Sequence, residues 1–195
     1  MPSTRLIFFA LLPWVVLAVL VAWERRTRRD RNEQWRKAWE ALGAQHGLTL
    51  QVAPDGTPEL HGTDGAVAWV LRVLGADFGG EAMVGFEVQA LTAVGDGRLF
   101  AWSPGMRPSG LPELAQRLTT EDGEFDGVFE VWADTAGLVR RLGPPARRAL
   151  LSLGQTALVL EGSRARLSLG VDPLGVDDHA LSSGREALKA LASEG

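Results

Sequence analysis

The sequence contains no cysteine, and it contains very little lysine. Without cysteine the chain has no disulfide, no thiolate metal site and no cysteine nucleophile. Neither of the two lysines, Lys37 and Lys189, follows a glycine, which excludes a phosphate-binding loop that ends in Gly-Lys. The G-x-S-x-G motif of an activated serine is also missing. These absences remove several common enzyme classes.

Charge is divided unevenly along the chain. Residues 1–40 hold eight basic and four acidic side chains, a net charge of +4, whereas the whole chain has a formal net charge of -4. The rest of the chain is therefore strongly acidic. A nucleic-acid-binding domain normally presents a basic face, so this distribution argues against nucleic acid as a partner.

The longest apolar run extends from Leu6 to Trp23 without a charged residue. As a helix it would span about 27 Å, close to the hydrocarbon core of a bilayer. Basic residues cluster after the run, and such residues stay in the cytoplasm. We therefore predict a single-pass membrane protein that contacts the bilayer through this run, with residues 1–23 as the anchor, the N-terminus outside and the C-terminal domain in the cytoplasm. The alternative is a cleaved signal peptide, although its basic end should precede the apolar run.

A basic segment follows the apolar run. Its arginines are Arg25, Arg26, Arg28, Arg29 and Arg31. An arginine near an anionic membrane surface contributes about 1 kcal/mol, so the segment predicts contact with anionic lipid headgroups. Alternatively, the arginines only orient the anchor, because Glu24 and Asp30 dilute the positive charge.

Residues 24–46 are predicted to continue as a basic juxtamembrane helix. Its apolar residues Trp35, Ala38, Trp39 and Leu42 recur at helical spacing and form one stripe. Gly47 is typical of the residue that follows a helix. The stripe predicts that this helix docks on the domain that follows.

Residues 47–195 are predicted to form one soluble domain. Between residues 48 and 102, apolar and polar residues alternate between turn signals, which predicts an antiparallel meander of about five strands. Other predicted elements are a glycine-rich loop at 75–82, helices at 111–118, 135–142 and 145–153, an acidic loop at 121–126, strands at 128–133, 158–161 and 166–169, and a last helix capped by Asp177. The predicted fold class is α+β: an N-terminal transmembrane helix that continues into a docking helix, then an antiparallel sheet with C-terminal helices packed on one face.

The run from Phe125 to Val131 reads F-D-G-V-F-E-V, and residues 138–144 and 147–153 continue as L-V-R-R-L-G-P and R-R-A-L-L-S-L. These segments resemble a family of uncharacterised bacterial membrane-anchored proteins with an F-D-x-x-F-x-V segment in a domain of unknown function. The resemblance covers roughly residues 120–192 and implies an architecture without catalytic residues. Phe125, Phe129 and Val131 are expected to be buried on one face of a strand.

An acidic segment is the nearest approach to a metal motif. Asp122, Glu124 and Asp126 match the first ligand positions of a calcium loop. The twelfth position of such a loop should be a bidentate glutamate, and here it is Ala133. We interpret the segment as a solvated turn.

The histidines are His46, His61 and His179. No two of them have the spacing of a local metal clamp. His179 follows Asp177 and Asp178, but acidic residues are also favoured where a helix begins. Ser182 lies near His179, yet a catalytic triad also needs an orienting acid and an oxyanion hole. From the sequence we assign no catalytic residue, no cofactor-binding residue and no metal ligand.

The function predicted from these patterns is a non-enzymatic protein-interaction or scaffold module. The alternative is a membrane-tethered hydrolase or a small-ligand-binding domain whose site is assembled from distant residues. An exposed Trp102 or Met106 would favour a partner surface. A deep pocket in which histidine and carboxylates converge would favour the enzyme.

Overall fold

The computed structural model describes residues 4–65, 67–74, 83–88, 97–108, 111 and 115–193, and the side chains among them from residue 14 onward. They form an α+β fold with a long N-terminal helix, a nine-stranded sheet and C-terminal helices, which confirms the predicted class at this level. The helices are α1 (Thr4–His46), α2 (Gly123–Val128), α3 (Pro144–Leu153) and α4 (Asp178–Ser193), with a 3₁₀ turn at Ala136–Arg141. The strands are β1 (Thr49–Val52), β2 (Pro58–Asp64), β3 (Val67–Leu74), β4 (Met83–Val88), β5 (Arg98–Trp102), β6 (Gln116–Leu118), β7 (Glu130–Ala133), β8 (Thr156–Glu161) and β9 (Arg164–Leu169).

The strand order in the sheet is β1-β2-β3-β4-β9-β8-β5-β7-β6, and every neighbouring pair is antiparallel. The predicted meander is therefore right for β1 to β4 and wrong for β5. Strand β5 pairs with β7 and β8, because β9 occupies the edge of β4.

Alternation along the strands divides the sheet into an inner and an outer face. The inner face carries apolar side chains that are completely buried, among them Leu60, Phe86, Leu158 and Leu167. The last turns of α1, together with α2, α3 and α4, cover this face and form the main core with it. The helices therefore pack on one face, as predicted, and leave much of the other face to polar residues.

The C-terminal part of α1 is fixed to the domain. Trp35, Trp39 and Leu42 are buried, and the indole Nε1 of Trp39 donates a hydrogen bond to the carbonyl oxygen of Pro173 at 2.8 Å. Ala38, which the predicted stripe included, is exposed. After His46 the helix ends at Gly47, whose φ of 66° lies in the left-handed region that glycine adopts readily.

The prediction of a transmembrane anchor at Leu6–Trp23 is wrong. Within the described residues, no helix is long and apolar enough to cross a membrane. The predictions of a single-pass membrane protein, an outside N-terminus and a cytoplasmic domain are therefore not supported.

Two predicted elements before α3 have a different structure. Residues 116–118 of the helix predicted at 111–118 form strand β6, while residues 112–114 lie outside the described part. The predicted acidic loop contains the start of α2, because Asp122 caps that helix by accepting a hydrogen bond from the amide of Phe125. The loop predicted at 75–82 also lies outside the described residues.

Phe125, Phe129 and Val131 are buried, as predicted, but they do not share one strand face. Phe125 belongs to α2, whereas Val131 belongs to β7. The rings of Phe125 and Phe129 are stacked with their centroids 4.6 Å apart. Phe125 therefore reaches the core from a short helix, and the prediction that all three residues lie on one strand face is wrong.

Candidate functional site

An open cleft of 720 Å³ lies mainly on the outer face, at the β1 end of the sheet. Strands β1 to β4 line its base, and the end of α1 and one residue of α4 line its sides. The polar residues that matter most in the cleft are Glu59, His61, Thr63, Arg72, Glu87 and Arg185. We take this cleft as the candidate functional site.

Strand register brings charged side chains together in the cleft. Glu59 of β2 lies opposite Arg72 of β3, and Glu87 of β4 lies opposite Arg166 of β9. His61 is two residues from Glu59 on the same strand and therefore points to the same face. Because side chains alternate along each strand, these residues form one continuous row across β2, β3, β4 and β9. We call this row the charge row; its members are Glu59, His61, Arg72, Glu87 and Arg166.

The charge row is held by direct contacts. Nε2 of His61 lies 3.2 Å from Oε2 of Glu59, and Nη1 of Arg72 lies 3.8 Å from Oε1 of Glu59. Nη2 of Arg72 also donates to Oε2 of Glu87, whose Oε1 accepts from Nε of Arg166 at 3.1 Å. The Glu59 and Glu87 side chains are only 18% and 13% exposed. All four carboxylate oxygens in the row are therefore engaged by protein groups.

A second polar cluster closes the end of the cleft. Asp64 accepts hydrogen bonds from Nε and Nη2 of Arg185, at 2.9 and 2.6 Å, and from Nε1 of Trp69 at 2.8 Å. The guanidinium of Arg185 also lies 5.6 Å from the centroid of the Trp69 ring, a cation–π arrangement. Hydrogen bonds from Arg185 lower the pKa of Asp64, and Asp64 raises the pKa of Arg185.

Gly62 shapes the same end of the cleft. A Cβ atom at this position would lie 2.3 Å from Cζ2 of Trp69. The missing side chain lets the indole ring lie against β2, where its Nε1 reaches Asp64. The position of Trp69, and through it the geometry of Asp64, depends on glycine at residue 62.

The cleft has the groups of a recognition site. Its arginines, carboxylates and hydroxyls provide fixed donors and acceptors, and the contacts among them hold each group in place. Among the described residues, no group of three or more His, Cys, Asp or Glu side chains could hold a metal ion. The carboxylate of Glu59 contacts both His61 and Arg72, whereas in a catalytic triad the carboxylate orients the histidine.

The three histidines do not meet. His61 lies in the cleft and is partly buried. Nε2 of His46 lies 2.8 Å from Oδ1 of Asp178 and links α1 to α4. Nε2 of His179 lies 3.0 Å from the carbonyl oxygen of Ser152 and links α4 to α3.

The acidic segment has a structural role. Oδ2 of Asp122 lies 3.1 Å from Nε of Arg147, in addition to the helix cap described above. Asp126 accepts hydrogen bonds from the amide and hydroxyl of Thr120. Asp126 bonds the local backbone, as expected for a turn, but Asp122 also joins α2 to α3.

The residues at the start of α4 also have local partners. Asp177 accepts a hydrogen bond from the amide of Ala180 at 2.8 Å, which confirms it as the helix cap. The hydroxyl of Ser182 donates to the carbonyl oxygen of His179 within the same helix. The hydroxyl proton is thus donated to a backbone carbonyl of the same helix and not to a base that could activate the serine.

The arginines that follow the apolar run are all exposed; they are Arg25, Arg26, Arg28, Arg29 and Arg31. Nη2 of Arg28 lies 3.7 Å from Oε1 of Glu24, one turn earlier in the helix, and the guanidinium carbon of Arg31 lies 5.0 Å from the ring centroid of Trp35. Contact of this segment with anionic lipid stays a prediction.

The outer face also contains an apolar part. Trp102 and Met106 are buried there in a small cluster with Met83, Phe100 and Ala157. The exposed Trp102 or Met106 that would have favoured a partner surface is therefore not present. The cleft, with histidine and carboxylates in contact, is the feature on this face that invites a functional interpretation.

Sequence reasoning missed the charge row. The available signal was one charged residue at an outward position of each strand, namely Glu59, Arg72 and Glu87. That pattern predicts only that these side chains face solvent. Their contacts depend on strand register and on the pairing of β4 with β9, which no local pattern specifies.

No protein-family model matches the sequence, and the comparison with curated proteins found no match. The resemblance of residues 120–192 to bacterial membrane-anchored proteins stays a prediction. A solved structure of similar fold is the crystal structure of the mycobacterial trehalose monomycolate transport factor A, TtfA. The two chains superpose with a TM-score of 0.53 and 9% sequence identity, over 86% of this chain and 92% of that chain. At this identity the likeness concerns the fold alone.

Proposed function

We propose that the chain is a non-enzymatic binding module that holds a small polar ligand in the cleft. The observation that carries this proposal is the engagement of all four oxygens of Glu59 and Glu87 by Arg72, Arg166 and His61. Side chains that hold one another in place form a preorganised surface, and such a surface binds without first paying the cost of ordering.

The geometry favours binding over hydrolysis. A hydrolase needs a base that is free to take a proton from the attacking group. His61 is in the cleft, but its carboxylate partner Glu59 also contacts Arg72. Thr63, on the same strand and face, is the hydroxyl residue nearest to His61 in sequence, and no contact links it to the histidine in the described structure.

The solved neighbour, TtfA, is named as a transport factor, a description that specifies no chemical reaction. A transport factor and a non-enzymatic binding module are compatible descriptions. Because the likeness extends only to the fold, the proposal rests on the cleft of this chain.

The test is retention of small molecules by the purified full chain. The protein is incubated with a small-molecule extract of the source cells, separated by filtration and analysed by mass spectrometry. Ala68→Arg introduces a large side chain into the cleft from an exposed position of β3. The matched control, Gln116→Arg, introduces the same side chain at an exposed position of β6, at the opposite edge of the sheet.

We expect at least one compound to be retained by the wild type and by Gln116→Arg, but not by Ala68→Arg. Equal retention by both variants would move the site away from the cleft. Turnover of an ester or glycoside by the wild type that disappears in His61→Ala would favour the hydrolase instead.

A second candidate function, protein interaction, is favoured by a different region. The apolar side chains of α1 from Trp14 to Trp23 are solvent-exposed, with Trp14 and Trp23 at 68% and 66%. Contiguous exposed apolar surface is typical of an interaction site. A photo-crosslinking residue at Val16 should capture a partner protein that the same residue at exposed Gln34 does not capture.

A further inference from the structure

We infer that the ligand of the cleft is neutral and rich in hydroxyl groups, namely a monosaccharide or disaccharide, free or at the end of a larger molecule. This inference rests on the proposed binding function and names its ligand class. It is carried by the charge balance, the hydrogen-bonding groups and the dimensions of the cleft.

The charge balance of the cleft disfavours charged ligands. Glu59 and Glu87 contact Arg72, and Glu87 also contacts Arg166. Arg185 is paired with Asp64, so the positive and negative charges of these groups cancel. An anion that approached Arg72 would also approach Glu59 and Glu87, which contact the same guanidinium. A cation that approached either carboxylate would in turn meet Arg72. A charged ligand would lose hydration without gaining an unopposed counter-charge.

His46 and His61 are the other titratable groups that line the cleft. Each contacts a carboxylate, Asp178 and Glu59 respectively, so neither imidazole faces the cleft without an acidic neighbour. The cleft remains suited to a neutral ligand.

The hydrogen-bonding groups match a sugar. A sugar hydroxyl both donates and accepts, so neighbouring hydroxyls need donors and acceptors side by side. The charge row supplies donors and acceptors in alternation across β2, β3 and β4. Thr49 and Gln51 of β1 lie opposite His61 and Glu59 and extend this surface with a hydroxyl and an amide.

The size and shape of the cleft agree with this ligand class. Its volume of 720 Å³ lies within the ~300–1,000 Å³ that is usual for small-molecule sites. The cleft is open to solvent on the outer face, and the exposed residues Thr63 and Ala68 lie on its surface. An open site can hold a sugar that remains attached to a larger molecule.

The test is calorimetric and NMR titration of the full chain with glucose, mannose, maltose and lactose. Inorganic phosphate, glutamate and spermidine serve as charged probes. We expect saccharide binding with a Kd on the order of 1 mM, typical of a shallow site. Because no net charge is involved, the affinity should change less than about twofold between low and high salt.

The variants locate the site. Ala68→Arg should weaken saccharide binding at least about tenfold, whereas Gln116→Arg should leave it unchanged. The absence of saccharide binding, or a charged probe that binds more tightly with strong salt dependence, overturns the inference. If the cell extract nevertheless yields a charged compound that Ala68→Arg loses, the cleft keeps its binding function and only the ligand class is wrong.

Discussion

The two faces of the sheet are built from the same strands but are stabilised in different ways. The inner face buries apolar side chains such as Leu60 and Phe86 under four helices. The outer face, around the cleft, relies on the charge row, whose guanidinium groups are considerably exposed. Burial on the inner face contributes most of the folding free energy. The charge row contributes little stability but fixes the positions of the groups that a ligand would meet.

The largest expected effect is on the inner face. Phe129→Ala removes a buried ring that stacks on Phe125. The truncation should lower the free energy of unfolding by about 3–5 kcal/mol, because it combines lost burial with a cavity. Urea unfolding measures this loss. A change below that of a surface variant would contradict the core position of the ring.

A smaller effect is expected from overfilling the inner face. Gly184 of α4 lies against Phe86, and a Cβ atom there would come within 2.2 Å of the ring. Gly184→Val should therefore lower the free energy of unfolding by about 1–3 kcal/mol. Thermal unfolding measures it, and the same change at exposed Gly123, where nothing lies near the added atom, is the control.

The third prediction concerns the junction of the two faces and depends on pH. Hydrogen bonds from Arg185 lower the pKa of Asp64 in the folded chain, so the carboxylate contributes stability above its unfolded pKa of about 3.9. This contribution should be lost as the pH falls through the lower, folded pKa. Asp64→Asn should cost about 1–2 kcal/mol at neutral pH.

The measurement for Asp64 is urea unfolding at a series of pH values. The difference between wild type and Asp64→Asn should shrink as the pH falls below about 4. A difference that stays constant over the acidic range would show that the effect comes from geometry and not from the charge of Asp64.

The smallest effect is expected on the outer face. Arg166→Ala removes a half-exposed guanidinium from Glu87, which still contacts Arg72. Exposed ion pairs contribute about 0.2–1 kcal/mol, so the free energy of unfolding should barely change. Chemical denaturation checks this. A loss as large as that of Phe129→Ala would remove the distinction between the two faces.

Sequence patterns predicted the parts of the fold that local chemistry controls. The docking helix, the first four strands, the cap at Asp177 and the burial of Phe129 follow from spacing and turn residues. The placement of β5 and β9 could not be predicted, because it depends on pairing between distant strands. The transmembrane prediction at Leu6–Trp23 was wrong, since no helix within the described residues is long and apolar enough to cross a membrane.

The candidate site was the least predictable part. Glu59, Arg72 and Glu87 come from three strands, and each alone is an ordinary surface charge. Their contacts require the strand register, and a further member of the row, Arg166, comes from a strand almost eighty residues later. A single sequence shows which residue types are present but not which of their side chains are in contact.

The strand order has a consequence for how the chain is made. The hairpin of β8 and β9 lies between β4 and β5, although it is synthesised after both. Until residues 156–169 emerge from the ribosome, β4 and β5 each present an unpaired edge, and such edges promote association between chains. The tight turn at Gly162, with a φ of 55°, lets the hairpin form quickly once it is synthesised. A nascent chain that stalls before Thr156 should therefore depend on chaperones that cover those two edges.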